Sequence, residues 1–175
     1  MRVIPQELAG VVVIEAEKHA DQRGTFQRMF CTRSFAAAGL PSGFVQSNLS
    51  TNRLAGTIRG LHYQERPFEE GKVVCCIRGA VHDVVVDLRP ESPTFRRWIS
   101  VDLDESDAKS IYIPPGLAHG FQTMCDRTDL LYFMTGSYEA SAARGVRWDD
   151  KAFGILWPLA VTSISDRDRS FPDFL

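Results

Sequence analysis

The chain has 175 residues, 44% hydrophobic and 24% charged, with a formal net charge of -2. That length fits one domain spanning residues 1–175, with enough chain to bury a sizeable core. The charge excludes nucleic-acid binding by bulk electrostatics, but leaves room for a local basic patch facing a phosphorylated small molecule.

Short β-rich runs separated by turn signals recur along the chain, at residues 11–15, 25–30, 44–50, 57–63, 72–78, 81–87, 96–102, 110–113, 120–124 and 130–135. This pattern predicts an all-β sandwich or barrel. Residues 31–41, CTRSFAAAGLP, predict a short helix that stops at Gly39. The run 72–88 predicts a hairpin turning near Gly79. In RWISVDL, Trp98, Ser100 and Asp102 share one face, and Ile99, Val101 and Leu103 the other. From Ser141 the chain is polar and irregular, with Trp148, Trp157 and Phe171 as anchors.

Residues 11–14 are apolar but are soon followed by Glu15, Glu17 and Lys18, which excludes a signal peptide or membrane span there. As a strand they offer an edge to a second subunit, which predicts a homodimer. The cysteines Cys31, Cys75, Cys76 and Cys125 form no C-x-x-C pair. They read as reduced thiols, mostly core, in a cytoplasmic protein. Adjacent Cys75 and Cys76 point to opposite faces of their strand.

The chemistry concentrates at residues 57–74, TIRGLHYQERPFEEGKVV. A titratable histidine, His62, stands near two cations, Arg59 and Lys72, a combination suited to an anionic substrate. Strict alternation turns Arg59 away from His62, and a bulge at Gly60 would bring them together. His62 is either this base or a satisfied structural histidine. Lys72 is either an edge gatekeeper or a functional cation. Tyr132 is a core tyrosine or a proton donor, and Tyr138 exposed packing or a stacking platform. Arg23, Gln46 and Asn48 read as solvated polar groups, and so do Arg78, Arg89, Arg96 and Arg97. Asp83 lies among valines as a candidate buried acid, and Asp168 sits in the charged run SDRDR, where solvation is the default. His119, in IPPGLAHGF, resembles the second metal motif of cupins. The first motif has Gln64 where a second histidine belongs, although Glu69 or Glu70 could supply a carboxylate.

Taken together, DQRGTF, FVQSN, RGLHYQ, EEGKVV, VHDVVVDLR, IPPGLAHGF, LLYFMTGSY, RGVRWDD and ILWP resemble the dTDP-4-dehydrorhamnose 3,5-epimerases almost end to end. The resemblance implies a cupin-type jelly-roll barrel with a few short helices. It implies an epimerase acting at carbon 3, carbon 5 or both of a nucleotide-linked 4-keto-6-deoxy sugar. His62 is then the base, Asp168 its orienting partner, Tyr132 the opposed acid and Lys72 the enolate stabiliser. Arg23, Gln46, Asn48, Arg59 and His119 are implied to bind sugar and diphosphate, and Tyr138 to stack on the nucleobase. The family implies no metal and no cofactor, and a homodimer that exchanges N-terminal strands.

Five positions depart from the family's pattern. Arg28 replaces a glutamate, Ser47 an aspartate, Leu49 a histidine, Phe133 a lysine and Ala143 a second glutamate. The catalytic set is intact while the binding set is altered, so the expectation is a shifted sugar or nucleobase, or inversion at a single carbon. The competing functions are a metal-dependent cupin enzyme and a non-catalytic sugar-nucleotide-binding relative.

Overall fold

A computed structural model describes residues 1–174. Its strands are β1 (Arg2–Pro5), β2 (Val12–Glu15), β3 (Lys18–Asp21), β4 (Gly24–Gln27), β5 (Gln46–Asn52), β6 (Ile58–Gln64) and β7 (Lys72–Arg78). They continue with β8 (Ala80–Asp87), β9 (Trp98–Asp104), β10 (Lys109–Ile113), β11 (Leu117–Thr123), β12 (Thr128–Met134) and β13 (Ala143–Gly145). Two short helices, α1 (Thr32–Ala37) and α2 (Asp166–Arg169), complete the described residues.

One sheet runs β1-β2-β10-β7-β12-β5 and a second β13-β6-β11-β8-β9, while β3 and β4 form a separate ribbon. The fold is the expected all-β class. Side chains from both large sheets fill the space between them: Val74, Ile111 and Leu130 from one, Val81, Val85, Leu103 and Phe121 from the other. Both outer faces are covered as well. Phe35 of α1, with Phe30 and Phe44, packs on Val73 and Cys75. The C-terminal segment lays Phe153, Trp157 and Phe174 against Val84 and Val86. Cys75 and Cys76 therefore do face opposite layers, and Cys31 and Cys125 are only half-buried. Burying a side chain of this size contributes about 1.5–3 kcal/mol, so covering both faces stabilises the long central strands. It also explains the apolar runs VVCCI in β7 and VVV in β8.

Helix α1 ends as its sequence predicts. Gly39 takes φ +71°, and the Gly39 and Leu40 amides donate to the Ala36 and Phe35 carbonyls, both at 3.0 Å.

Two expectations about the strands need correction. Residues 72–88 are not a hairpin: β7 lies between β10 and β12, whereas β8 lies between β11 and β9 in the other sheet. Gly79 carries the chain across with φ +76°, and a Cβ there would meet the Thr128 hydroxyl at 2.6 Å. Residues 11–14 are not an edge, because β2 pairs on one side with β1 and on the other with β10. The edges of that sheet are β1 and β5. Strands β1, β3 and β13 and helix α2 escaped the sequence pattern, being three or four residues long.

Arg89 is no solvated surface charge. Its side chain donates to fully buried Asp87, from Nε at 2.9 Å and Nη2 at 2.7 Å, and Nη2 also donates to the Ala9 carbonyl at 2.8 Å. Ser92 and Thr94 hydroxyls donate to the same carboxylate, at 2.5 and 2.6 Å. Burial alone would raise the Asp87 carboxyl, but these hydrogen bonds win and hold it well below the ordinary carboxylate range. A depressed folded-state value adds stability at pH above the unfolded value, near 3.9 for aspartate, and that stability is lost as pH falls below it. Asp87→Asn is expected to cost about 2–3 kcal/mol in urea unfolding at pH 7, with a deficit that shrinks on acidification toward pH 3.

Candidate functional site

The site begins with a bulge in β6. His62 pairs with His119 of β11 and Arg59 with Phe121, so Gly60 and Leu61 together face Gly120 alone. The extra residue resets the alternation. Arg59 and His62 line the same cavity, while Leu61 turns into the outer layer. Gly60 has φ +130°, and a Cβ on it would lie 2.5 Å from the Gly120 Cα and 2.9 Å from the His119 carbonyl oxygen. Only glycine fits there.

The cavity opens between the two sheets and holds about 310 Å³. Strand β5 contributes Asn48 and Ser50 to its wall, β6 Arg59, His62, Tyr63 and Gln64, and β7 Lys72. His119 and Phe121 come from β11, and Tyr132 and Met134 from β12. Glu70, Tyr138, Ala143, Arg144 and Arg167 complete it.

Asp168 is buried rather than solvated, because α2 folds back on β6. The Ser163 carbonyl accepts from the Ile58 amide at 2.8 Å, and the Ser165 hydroxyl caps α2 by accepting from the Asp168 amide at 3.1 Å. Asp168 Oδ1 is then 2.7 Å from His62 Nε2, and its Oδ2 accepts from the Gly60 amide at 3.1 Å. Burial works to raise this carboxyl, but the hydrogen bond and charge of His62, with the Gly60 and Ser165 donors, lower it overall. With Nε2–H donated to the carboxylate, His62 Nδ1 keeps the free lone pair. The Phe171 ring stands edge-on to the imidazole, with centroids 6.0 Å apart.

His119 forms a second, deeper pair, its Nε2 2.8 Å from Asp83 Oδ2, with both side chains buried. Asp83 is thus the inward-facing acid its valine neighbours predicted. Tyr132 packs edge-on to His119 at 6.1 Å. Burial first, and Asp83 second, push the Tyr132 phenol far above its ordinary value, so it stays protonated across the neutral range. Lys72 is buried 3.4 Å from Glu70 Oε1. Arg59 Nε donates to Asn52 Oδ1 at 2.7 Å. Gln46 lies behind the wall: its Nε2 donates to Asn48 Oδ1 at 3.0 Å, and its Oε1 accepts from the Tyr138 amide at 3.1 Å.

Of the residues singled out from sequence, His62, Lys72, Tyr132, Asn48, Arg59, His119 and Tyr138 share this cavity, and Asp168 backs it. Arg23 does not reach it. That residue sits at the turn of the β3–β4 ribbon, its Nη2 donating to Asp21 Oδ2 at 2.6 Å. Arg28 borders a separate cleft near Cys31, and Leu49 faces outward at 61% exposure. Phe133 stacks into the aromatic layer with Phe30 and Phe44. Among the five departing positions, Ala143 alone touches the cavity.

Ser50, Arg144 and Arg167 line the site without having been predicted, and Glu70 entered only as a possible metal ligand. The place of Arg167 beside Asp168 was the available signal. Among the described residues no group of three or more His, Cys, Asp or Glu stands where it could hold a metal. Gln64 spends its amide on the Phe68 and Ser137 carbonyls and accepts from the Glu139 amide.

A base with a free nitrogen, a half-buried phenol, a buried cation and further arginines around one cavity suit proton transfer on an anionic substrate. Comparison with known proteins agrees. A family model described as dTDP-4-dehydrorhamnose 3,5-epimerase matches residues 5–175. A dTDP-4-dehydrorhamnose 3,5-epimerase of Sinorhizobium fredii is 42% identical over 166 residues, covering 94% of this chain and 85% of that protein. A dTDP-4-dehydrorhamnose 3-epimerase of Streptomyces niveus is 38% identical over 170 residues, covering 97% and 82%. The crystal structure of the Bacillus anthracis dTDP-4-dehydrorhamnose 3,5-epimerase, with TDP and PPi bound, superposes with a TM-score of 0.96 at 36% identity, covering 99% of each chain.

Gly60→Ala is expected to destabilise the protein by about 1–3 kcal/mol through the forced backbone conformation alone, with more from the collision with Gly120. Denaturant unfolding reads the loss. Activity should fall further than stability, because the bulge sets both Arg59 and the His62–Asp168 pair.

Proposed function

The chain belongs to the dTDP-4-dehydrorhamnose 3,5-epimerase family, and from that premise we propose how its own residues carry out the reaction on a nucleotide-linked 4-keto-6-deoxy sugar. The observation that carries the proposal is the His62–Asp168 pair facing one cavity with Tyr132 and Lys72.

A carbon next to a ketone is a weak acid, and the barrier is the charge that develops on the enolate oxygen. His62 Nδ1 removes the proton, and Asp168 stabilises the imidazolium that forms. Lys72 meets the enolate oxygen. Tyr132, kept protonated by burial, returns a proton to the opposite face, and the centre inverts. A base, an acid and a fixed cation complete this chemistry without a cofactor. Arg59, His119 and Asn48 bind sugar and diphosphate, Gln46 holds Asn48 and the Tyr138 main chain from behind the wall, and Tyr138, 59% exposed, stacks on the base. The substrate is the partner; neither nucleic acid nor membrane is called for. Among the described residues no helix is long and apolar enough to cross a membrane. Four free thiols support a cytoplasmic setting.

Residues 1–175 act as one domain, and the working unit is a homodimer that exchanges N-terminal strands. Two observations support this. The β3–β4 ribbon pairs with neither large sheet, and it exposes Phe26 at 67% beside Arg23. In a dimer, Arg23 reaches the diphosphate in the neighbouring subunit's cavity.

Deuterium wash-in from solvent into a dTDP-4-keto-6-deoxy sugar tests the reaction. Label at carbon 3 alone identifies a mono-epimerase, and label at carbons 3 and 5 a double one. No label at either carbon, with folded protein, rejects the function. His62→Asn should lower exchange by about 100- to 10,000-fold. Lys72→Met should lower it by about 100- to 1000-fold. Tyr132→Phe should still exchange through His62 but no longer invert. Mixing Arg23→Ala subunits with His62→Asn subunits should restore activity that neither has alone; no restoration counts against strand exchange.

A further inference from the structure

We propose that Glu70 is a positioning residue whose buried carboxylate holds Lys72 as a charged ammonium at the cavity wall, and so sets how far into alkaline pH the enzyme works. The proposal deepens the functional reading above, since it rests on Lys72 meeting the enolate oxygen.

The two side chains are 6% and 7% exposed and 3.4 Å apart, and both border the cavity. An ammonium buried this far from water tends to shed its proton unless a negative charge stands against it. Glu70 is fixed there by its main chain. The Gly71 amide donates to the Thr135 hydroxyl at 2.8 Å, and the Thr135 amide donates to the Gly71 carbonyl at 2.9 Å. Gly136 packs closely against the base of the Glu70 side chain, where an added Cβ would stand 3.0 Å from the Glu70 Cβ. Its second oxygen, Oε2, is buried without a hydrogen-bond partner among the described residues. Apart from the ammonium, nothing described neutralises the carboxylate.

The groups facing Lys72 are few. Glu70 comes from the segment leading into β7. From β8 comes Asp83, whose Oδ2 is engaged by His119 of β11 and whose Oδ1 is buried without a partner. Tyr132 of β12 lines the same cavity. The residues registered beside Lys72 on the neighbouring strands, Ile113 and Met134, carry no charge. Burial pushes the ammonium below its ordinary value, and Glu70 first, then Asp83, push it back up. A neutral amine cannot balance an enolate, so the lysine's charge is the quantity that matters.

The test compares wild type with Glu70→Gln, which keeps the shape and removes the charge. Deuterium wash-in into a dTDP-4-keto-6-deoxy sugar is followed from pH 6 to 10. The alkaline limb of kcat should move down by about 1 pH unit or more, with KM little changed. Glu70→Asp, one methylene shorter, should move it in the same direction by less. A rise in KM with the alkaline limb in place would make Glu70 a substrate contact and overturn the proposal.

A second readout needs no substrate. Glu70→Gln should lower the Tm at pH 7 by about 3 °C or more, and the deficit should close as pH rises and the lysine loses its charge. In the Lys72→Met background the same change should cost nothing or stabilise. Additive Tm losses overturn the proposal. If wild type itself shows no exchange, the functional reading fails, while the thermal cycle still decides the ion pair.

Discussion

The site depends on the close approach of two backbones at Gly60 and Gly120. With no Cβ on either residue, β6 and β11 come together where one strand carries an extra residue. That insertion turns Arg59 and His62 into one cavity and leaves the Gly60 amide free to hold Asp168. Without it, the arginine and histidine would lie on opposite faces. The dyad is therefore fixed by main chain as well as by side chains, which is what a base must have to act in one orientation.

The layered packing supplies the other half. With both sheet faces covered, polar side chains pointing between the sheets find little water. Asp83, His119 and Lys72 are buried in that space with Tyr132 beside them, and the Asp83 charge pushes both Lys72 and Tyr132 upward. The same burial has opposite consequences for two of them. It keeps the Tyr132 phenol protonated, as a proton donor requires, and it works against the charge on Lys72, which a neighbouring carboxylate then has to sustain.

Most of the sheet structure was legible from sequence, because long strands with apolar faces announce themselves. The Lys72–Arg78 strand is an example, its bounds matching those predicted from the pattern. Local rules also served for Gly39 and for the bulge at Gly60. What pattern could not supply was pairing. The 72–88 run looked like a hairpin since sequence shows that Gly79 turns the chain, not which sheet it turns toward. Asp168 looked solvated because its burial comes from strand β6, 106 residues away. Arg89 was misjudged for the converse reason, as its partner Asp87 is close in sequence but buried by distant strands. The resemblance implied a catalytic set, yet the places of Glu70, Arg144 and Arg167 in the cavity wall became visible only in the structure. It also drew attention to Arg28, Leu49 and Phe133, which within one chain lie away from the cavity.

The distance in sequence between His62 and Asp168 bears on how the protein is made. Chains emerge from the ribosome amino end first, and early segments begin to fold before later ones exist. Strands β6, β7, β11 and β12 precede α2 in the chain, so the residues they bring to the cavity are made before Asp168. The proposed dyad is complete only once residues 165–168 dock against β6.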